Sequence, residues 1–329
     1  MNTSEQTDFA NLNPDRVIDA VESLGYLSDL RVFALNSYEN RVYQFGLEDK
    51  DPIVVKFYRP ERWSDDQILE EHRFTQQLAD TDIAVIPAWR DPQGNTLFHF
   101  EGYRFAIYPR RGGHAPALDD MDNLFQLGRL FGRLHLVGAS SAYQYRPKLD
   151  VMSFGDNSRR DILIDVIPDS LRESYATISE DLLLHVRRRF DEISPTYIRT
   201  HGDGHVGNIL SRNDETWLVD FDDSRMAPAV QDLWMFLSGE QDTQQRAMME
   251  LIEGYQEFYD FNPSELGLIE ALRSLRIMHH AAWLANRWQD PAFPKAFPWF
   301  NTERYWGEHI LQLREQLALI QEPPLRMPY

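Results

Sequence analysis

The residues best suited to chemistry lie in one stretch. It reads Thr200-His201-Gly202-Asp203-Gly204-His205-Val206-Gly207-Asn208-Ile209-Leu210, then Trp217-Leu218-Val219-Asp220-Phe221-Asp222-Asp223. Residues 208–211 and 217–220 read as strands joined by 212–216. If Ser211 pairs with Trp217, Asn208 falls opposite Asp220, and opposed Cβ atoms in an antiparallel pair lie about 4.5–5.5 Å apart. An amide oxygen and a carboxylate at that spacing can share a hard cation. Magnesium suits them, because it takes few protein oxygens and fills its shell with water and substrate phosphates. Asp203 precedes Asn208 in a glycine-rich loop and could accept or orient a hydroxyl proton. One acid for a nucleophile plus a metal pair is what phosphoryl transfer from a nucleotide needs. Asp and Gly are also ordinary turn residues. The joint pattern H-G-D-x-x-x-x-N, followed by an apolar strand ending in Asp, carries the specificity that an isolated H-G-D lacks.

A second pair lies upstream. In residues 53–58, Ile53, Val55 and Phe57 share one strand face, and Val54, Lys56 and Tyr58 the other. With Arg41–Leu47 and the turn 48–51 this predicts a hairpin. Ser64 and Gln67 match a capping box, with Asp65 and Asp66 in the first turn, and predict a helix to about Leu78. At 100° per residue, Ile68, Phe74, Thr75 and Leu78 share an arc that includes Glu71 and leaves Glu70 outside, solvated. A carboxylate among apolar neighbours needs a partner, and Lys56 is the candidate. A strand lysine held by a helix glutamate can position nucleotide phosphates.

The elements that must hold these groups follow the same order along the chain. Asn13-Pro14 starts a helix on Val17, Ile18, Val21 and Leu24 that ends at Gly25. Strands 96–100 and Tyr103–Pro109 complete a small α+β lobe, residues 1–109. Residues 110–329 read as a mainly helical lobe with an embedded hairpin. Its helices include 120–138, with Leu124, Leu127, Phe131, Leu134 and His135 on one stripe, and 162–192, broken near Pro168. Composition narrows the function. With 33 Lys+Arg against 52 Asp+Glu the net charge is −19, which argues against nucleic acid or an anionic membrane as partner. The absence of cysteine excludes a thiol nucleophile and thiolate metal sites. Neither a signal peptide nor a membrane span is recognisable, so a soluble, cytoplasmic protein is expected.

These motifs resemble the kinase-like phosphotransferases, the aminoglycoside, choline and homoserine kinases and their relatives. Leu35-Asn36-Ser37-Tyr38-Glu39-Asn40-Arg41-Val42-Tyr43, Val54-Val55-Lys56-Phe57-Tyr58-Arg59-Pro60, Gln67-Ile68-Leu69-Glu70-Glu71-His72 and Pro228-Ala229-Val230-Gln231-Asp232-Leu233-Trp234 resemble, more closely, the bacterial stress response kinase A family. So does the stretch from Trp283 to Trp299. The resemblance covers nearly the whole chain. It implies a two-lobed kinase fold, ATP and Mg2+, and transfer to serine or threonine hydroxyls of a protein. It also implies a role in resistance to envelope and oxidative stress. By resemblance Asp203 is the proton acceptor, Asn208 and Asp220 the metal ligands, Ser37 an ATP contact and Asp232 a buried anchor for the catalytic loop. Asp232 could also cap a helix starting at Leu233.

The chain departs from typical protein kinases as well. Residues 35–43 hold no glycine, so no G-x-G-x-x-G loop covers the phosphates. His201-Gly202-Asp203 lacks the usual arginine, and Asp220-Phe221-Asp222 has Asp in place of Gly. Eleven residues separate Asp220 from Asp232, too few for a long phosphorylated activation loop. Three other readings remain open: a small-molecule hydroxyl kinase on the same scaffold, a metal-dependent hydrolase using His201, Asp203 and His205, and an inactive binding module. His201 is expected to order its loop. The aromatics Trp283, Trp288, Phe293, Phe297, Trp299, Phe300, Tyr305 and Trp306 are expected to pack helix ends, with an acceptor groove as the alternative. Asp222, Asp223 and Asp232 could attract a basic acceptor.

Overall fold

The computed structural model describes residues 9, 11–213 and 215–327. In chain order its elements are α1 (Pro14–Glu22), β1 (Ser28–Ala34), β2 (Arg41–Leu47), β3 (Ile53–Phe57), α2 (Asp65–Asp80), β4 (Phe98–Phe100), β5 (Tyr103–Pro109) and α3 (Met121–Gly138). There follow α4 (Asn157–Asp165), α5 (Asp169–Ile193), β6 (Ile198–Thr200), β7 (Ile209–Arg212), β8 (Glu215–Leu218), β9 (Arg225–Ala227), α6 (Gln241–Gln256), α7 (Ile269–Asn286), α8 (Ala292–Ala296) and α9 (Glu303–Leu319). Contacts sort these into two units. One holds residues 1–116, 143–146 and 206–223, and the other holds 117–142, 147–205 and 224–329. A division by chain position alone, 1–109 against 110–329, leaves segments 143–146 and 206–223 outside the unit they pack in.

The first unit is built on an antiparallel sheet in the order β1-β2-β3-β5-β4. Strand alternation sorts its faces. Phe45, Val55, Phe57, Phe105 and Ile107 point into a core closed by Val17 and Val21 of α1. Tyr58 and Ala106 form a second cluster with Ile68 of α2, and Lys56 sits between them in register, paired with Val42 and Ala106 on its neighbouring strands. The α1 cap at Asn13 and the α2 capping box Ser64/Gln67 form as the sequence predicts. Strand β1 has no counterpart in the sequence reading. Its residues are mostly exposed, Leu30 is left-handed (φ 66°) and the register shifts beside it, so no alternating pattern marks it. The hairpin β7–β8 joins this unit through bridges from Val85 to Leu218 and from His114 to Ser211.

Glu70 departs from expectation. It is buried rather than solvated, because its carboxylate accepts the backbone N–H groups of Gln144, Tyr145 and Arg146 at 2.6, 2.9 and 2.8 Å. These three bonds tie segment 143–146 to α2. Arg146 then donates to the carbonyls of Gln67 and Asp222 at 2.9 and 2.8 Å.

In the second unit α3 packs on α6 along the predicted stripe, and Leu124, Leu127, Phe131, Leu134 and His135 are all buried. The helices approach so closely at Gly128 that a Cβ there would collide with the carbonyl of Leu251. The Pro168 break separates α4 from α5. Residues 292–299, expected only as an interruption, contain the short helix α8. Phe293, Phe300 and Trp306 are buried, as packing aromatics should be, while Trp299 stays 49% exposed. No helix among the described residues is long and apolar enough to cross a membrane.

Glu70→Ala would strand three backbone donors in a buried position. It is expected to lower stability by about 2–4 kcal/mol, read as a shift in the urea unfolding midpoint. A neighbouring Gln77→Ala substitution, on the same helix, serves as the control.

Candidate active site

Lys56 sits on β3 with its side chain 8% exposed. Its ammonium lies 3.0 Å from Asp220 Oδ1 and 3.0 Å from Asp222 Oδ1, and 5.2 Å from the centre of the Tyr58 ring. Burial weakens its hold on its proton, but the two carboxylates outweigh that and keep it firmly protonated. The expected Lys56–Glu71 ion pair is not formed. Asp220 and Asp222 together match the ammonium at closer range, and Glu71 acts on it only through its charge. Glu71 is fully enclosed, its Oε2 has no hydrogen-bond partner, and burial pushes its carboxyl up to about 7 against the pull of Lys56 and Arg146. His72 beside it is pushed down to about 3 by burial and stays neutral, bonded to Tyr58 Oη and Thr96 Oγ1 at 2.7 and 2.8 Å.

Asp222 links this lysine to a second cation. Arg62 Nη1 lies 2.7 Å from Asp222 Oδ2, and Arg62 Nη2 donates to Asp223 at 2.8 Å. Burial pushes the Asp222 carboxyl up, but Lys56 and Arg62 outweigh it and hold it well below the usual carboxylate range. Arg62 also reaches Glu39 at 3.5 Å, and Arg59 holds the same residue at 3.2 Å. Arg59 further donates to the carbonyls of Tyr38 and Glu39 and gives its own N–H to Asn40. The loop after β1 is thereby fastened down around Ser37, which lies in it half-buried. Arg62 and Asp222 were not singled out as site residues by the sequence. For Asp222 the sequence offers two signals, an acid where typical protein kinases carry glycine and its place among the acids that could attract a basic acceptor.

The β7–β8 hairpin forms one residue out of the expected register. Ser211 pairs with Thr216, and Ile209 pairs with Leu218. Asn208 therefore faces Val219, whose N–H donates to the Asn208 carbonyl at 3.0 Å. Asp220 follows in a left-handed conformation (φ 63°), which an L residue adopts at a cost and which Asp tolerates better than most. This twist releases Asp220 from the strand alternation, and its carboxylate is 54% exposed while bound to Lys56. The residue types at 208 and 220, a side-chain amide and an accessible carboxylate, are the hard oxygen donors that magnesium takes, and it needs few from the protein. Among the described residues no group of three or more His, Asp or Glu is arranged to hold a metal ion.

The loop 201–205 belongs to the second unit. Asp232 is fully buried and its carboxylate accepts the N–H groups of His201 and Gly202 at 2.6 and 2.8 Å, and bonds His135 Nε2 at 3.0 Å. It does not cap a helix, because it ends a short 3-10 turn at 229–232 instead. Within the loop, His201 Nδ1 accepts from Asp203 N at 3.3 Å. A Cβ on Gly204 would come within 2.8 Å of the Asp232 carbonyl, so this position needs glycine. Asp203 is bound by His205 Nε2 at 3.2 Å and by Arg276 Nη1 of α7 at 2.7 Å. Burial pushes its carboxyl up, but the His205 bond and the Arg276 charge prevail and keep it well below the usual range.

Over residues 30–269 the chain matches the Phosphotransferase enzyme family. It is 42% identical over 329 residues to Stress response kinase A of Escherichia coli (strain K12), covering 99% of each chain. It is 41% identical over 321 residues to Serine/threonine protein kinase RdoA of Salmonella typhimurium, covering 97% of each. Among solved structures it is similar to the amicoumacin kinase hAmiN in complex with AMP-PNP, Ca2+ and Ami. That match has a TM-score of 0.70 at 19% identity and covers 95% of this chain and 94% of that one, a likeness of fold. The α+β architecture is thus the kinase-like fold, and the chain belongs to the phosphotransferase enzyme family. Within that family it groups with the stress response kinases, and it is an enzyme of the kinase class.

Asp222→Ala would leave Arg62 and the buried Lys56 short of charge. A loss of about 3–5 kcal/mol is expected, read by urea unfolding. Glu71 has a second, pH-dependent signature. Its carboxyl holds a proton to about pH 7 in the folded chain and only to about 4.5 in the unfolded one. Between those values the folded state binds more protons, so this contribution to stability falls as pH rises. Glu71→Gln is expected to flatten the unfolding midpoint between pH 5 and pH 7.5, which the same titration at several pH values checks.

Proposed function

We propose that the enzyme transfers the γ-phosphoryl group of ATP, with Mg2+, to serine or threonine hydroxyls of a protein in a bacterial stress response, and works in the cytoplasm, where ATP is supplied. The observation that carries this reading is the buried Lys56, presented beside the exposed carboxylate of Asp220. An ammonium held charged in an apolar setting binds phosphate oxygens far more strongly than one in water. The names of the relatives, one a stress response kinase and one a serine/threonine protein kinase, support the acceptor class and the setting.

Lys56 would hold the donor's phosphates, steered by Asp222, with Glu71 adding its charge once it ionises above about pH 7. Ser37, in the loop fastened by Arg59 and Arg62, would contact the nucleotide. Asn208 and Asp220 would hold the magnesium, which supplies neutralisation of phosphate charge when bound. Asp203, ionised and anchored through His201 and Asp232, would orient the acceptor hydroxyl and take its proton. The hydroxyl oxygen bonds to the γ-phosphorus as the bond to the β-phosphate's bridging oxygen breaks, and ADP leaves.

Asp203→Ala should lower kcat by about 10²–10⁴ and leave nucleotide affinity within a few-fold. Asp220→Ala should abolish magnesium-dependent ATP binding, read by calorimetry. An Asp220 variant with unchanged Mg-ATP affinity and rate would overturn its assignment. Labelled ATP offered with protein extract and, separately, with hydroxylated metabolites tests the acceptor. Turnover on a small alcohol alone would replace the protein acceptor with a small-molecule one.

A further inference from the structure

Both carboxylate oxygens of Asp203 are already engaged. Arg276 Nη1 donates to Oδ1 at 2.7 Å, and His205 Nε2 lies 3.2 Å from Oδ2. A hydroxyl that is to deliver its proton to Asp203 competes with both of them for the lone pairs of those oxygens. The two are not equally held. His205 sits two residues away on the same loop, and its N–H is bonded to the Asp203 carbonyl at 2.9 Å. Arg276 reaches across from α7 on a long side chain that is 44% exposed, and this is its one hydrogen bond among the described residues. The guanidinium end of this pair is open to water, which weakens its hold on the carboxylate. Arg276 is the partner that can leave, and an acceptor that brings its own anion can offset the loss.

The positive charge that faces Asp203 from α7 favours an anionic acceptor over a cationic one. His280 and Trp283 follow Arg276 at i+4 and i+7 and so share its face of α7. Their rings stack at 5.6 Å, and Trp283 packs on Phe293 at 5.0 Å. That face presents a cation followed by aromatic rings. The acids that could have drawn a basic acceptor are committed elsewhere, Asp222 and Asp223 to Lys56 and Arg62, and Asp232 to the buried His135 and the loop N–H groups.

We propose that Arg276 selects the acceptor. An anionic group beside the target hydroxyl, such as an aspartate, a glutamate or a phosphorylated side chain, draws the guanidinium off Asp203 and frees Oδ1 for the hydroxyl. The inference rests on the assignment of Asp203 as proton acceptor.

The test uses the full chain, labelled ATP and two matched acceptor pairs. One pair is a serine peptide flanked by Asp or by Lys. The other is a small alcohol carrying a carboxylate or an ammonium group. In whichever pair turns over, the wild type should favour the anionic member by about tenfold or more in kcat/KM. Arg276→Lys should keep that direction, Arg276→Gln should lose the preference, and Arg276→Glu should invert it. A purely structural arginine would lower both members of a pair alike. Equal use of both members by the wild type, an unchanged preference in Arg276→Glu, or no turnover of any of the four acceptors overturns the proposal. Asp203→Asn separates the two layers of argument. If it keeps full activity, the proton-acceptor assignment fails, whatever the charge preference of the Arg276 variants. If only the small alcohols turn over, the protein-acceptor reading fails while the charge preference is still measured.

Discussion

An ammonium buried on a central strand cannot stay charged alone, and the first unit is organised around that constraint. Taking a charge out of water costs several kcal/mol, and only close, well-placed counter-charges restore it. Lys56 receives them from Asp220 and Asp222, which requires residues 206–223 to pack against β3 and α2. Asp222 in turn needs Arg62, and Arg62 engages Glu39 in the loop that carries Ser37. One desolvated charge thus fixes the position of the strand, the segment after β8 and the loop after β1.

The second unit solves a different problem, that of holding a short irregular loop in one conformation. Residues 201–205 have no sheet ladder to satisfy their backbone. Asp232 substitutes for it by accepting two successive N–H groups, and His135, from the buried stripe of α3, orients that carboxylate. Gly204 leaves the space for the Asp232 backbone to come close. The loop's order is therefore drawn from the helical core, which places Asp203 by a chain of contacts from α3 and not by its own stiffness.

Much of this was legible in the sequence because the signals are local. Caps, proline breaks, the α3 stripe and the alternation that buries Val55 and Phe57 while setting Lys56 on the other face all follow from neighbours within a few positions. The illegible parts depend on partners far along the chain. Glu70 lies outside the apolar arc of α2, and nothing nearby announces that it will accept three N–H groups from residues 144–146. The preference of Lys56 for Asp220 and Asp222 over Glu71 is a competition among groups brought together only by folding. The hairpin register was missed by one residue because the turn can be closed in more than one way. In a strand, one residue is the difference between opposite faces. The left-handed Asp220 then restores access by a route that strand periodicity cannot encode.

The residue after Phe221 has a wider consequence. Many kinases use a glycine there, which leaves that stretch free to swing between working and resting arrangements. Here an aspartate is locked between two cations, and most of the eleven residues that follow Asp220 are buried. An upstream enzyme finds no long tether here on which to write an on-signal. Phosphorylation of a long flexible segment, as in many kinases, would find little purchase in this buried stretch.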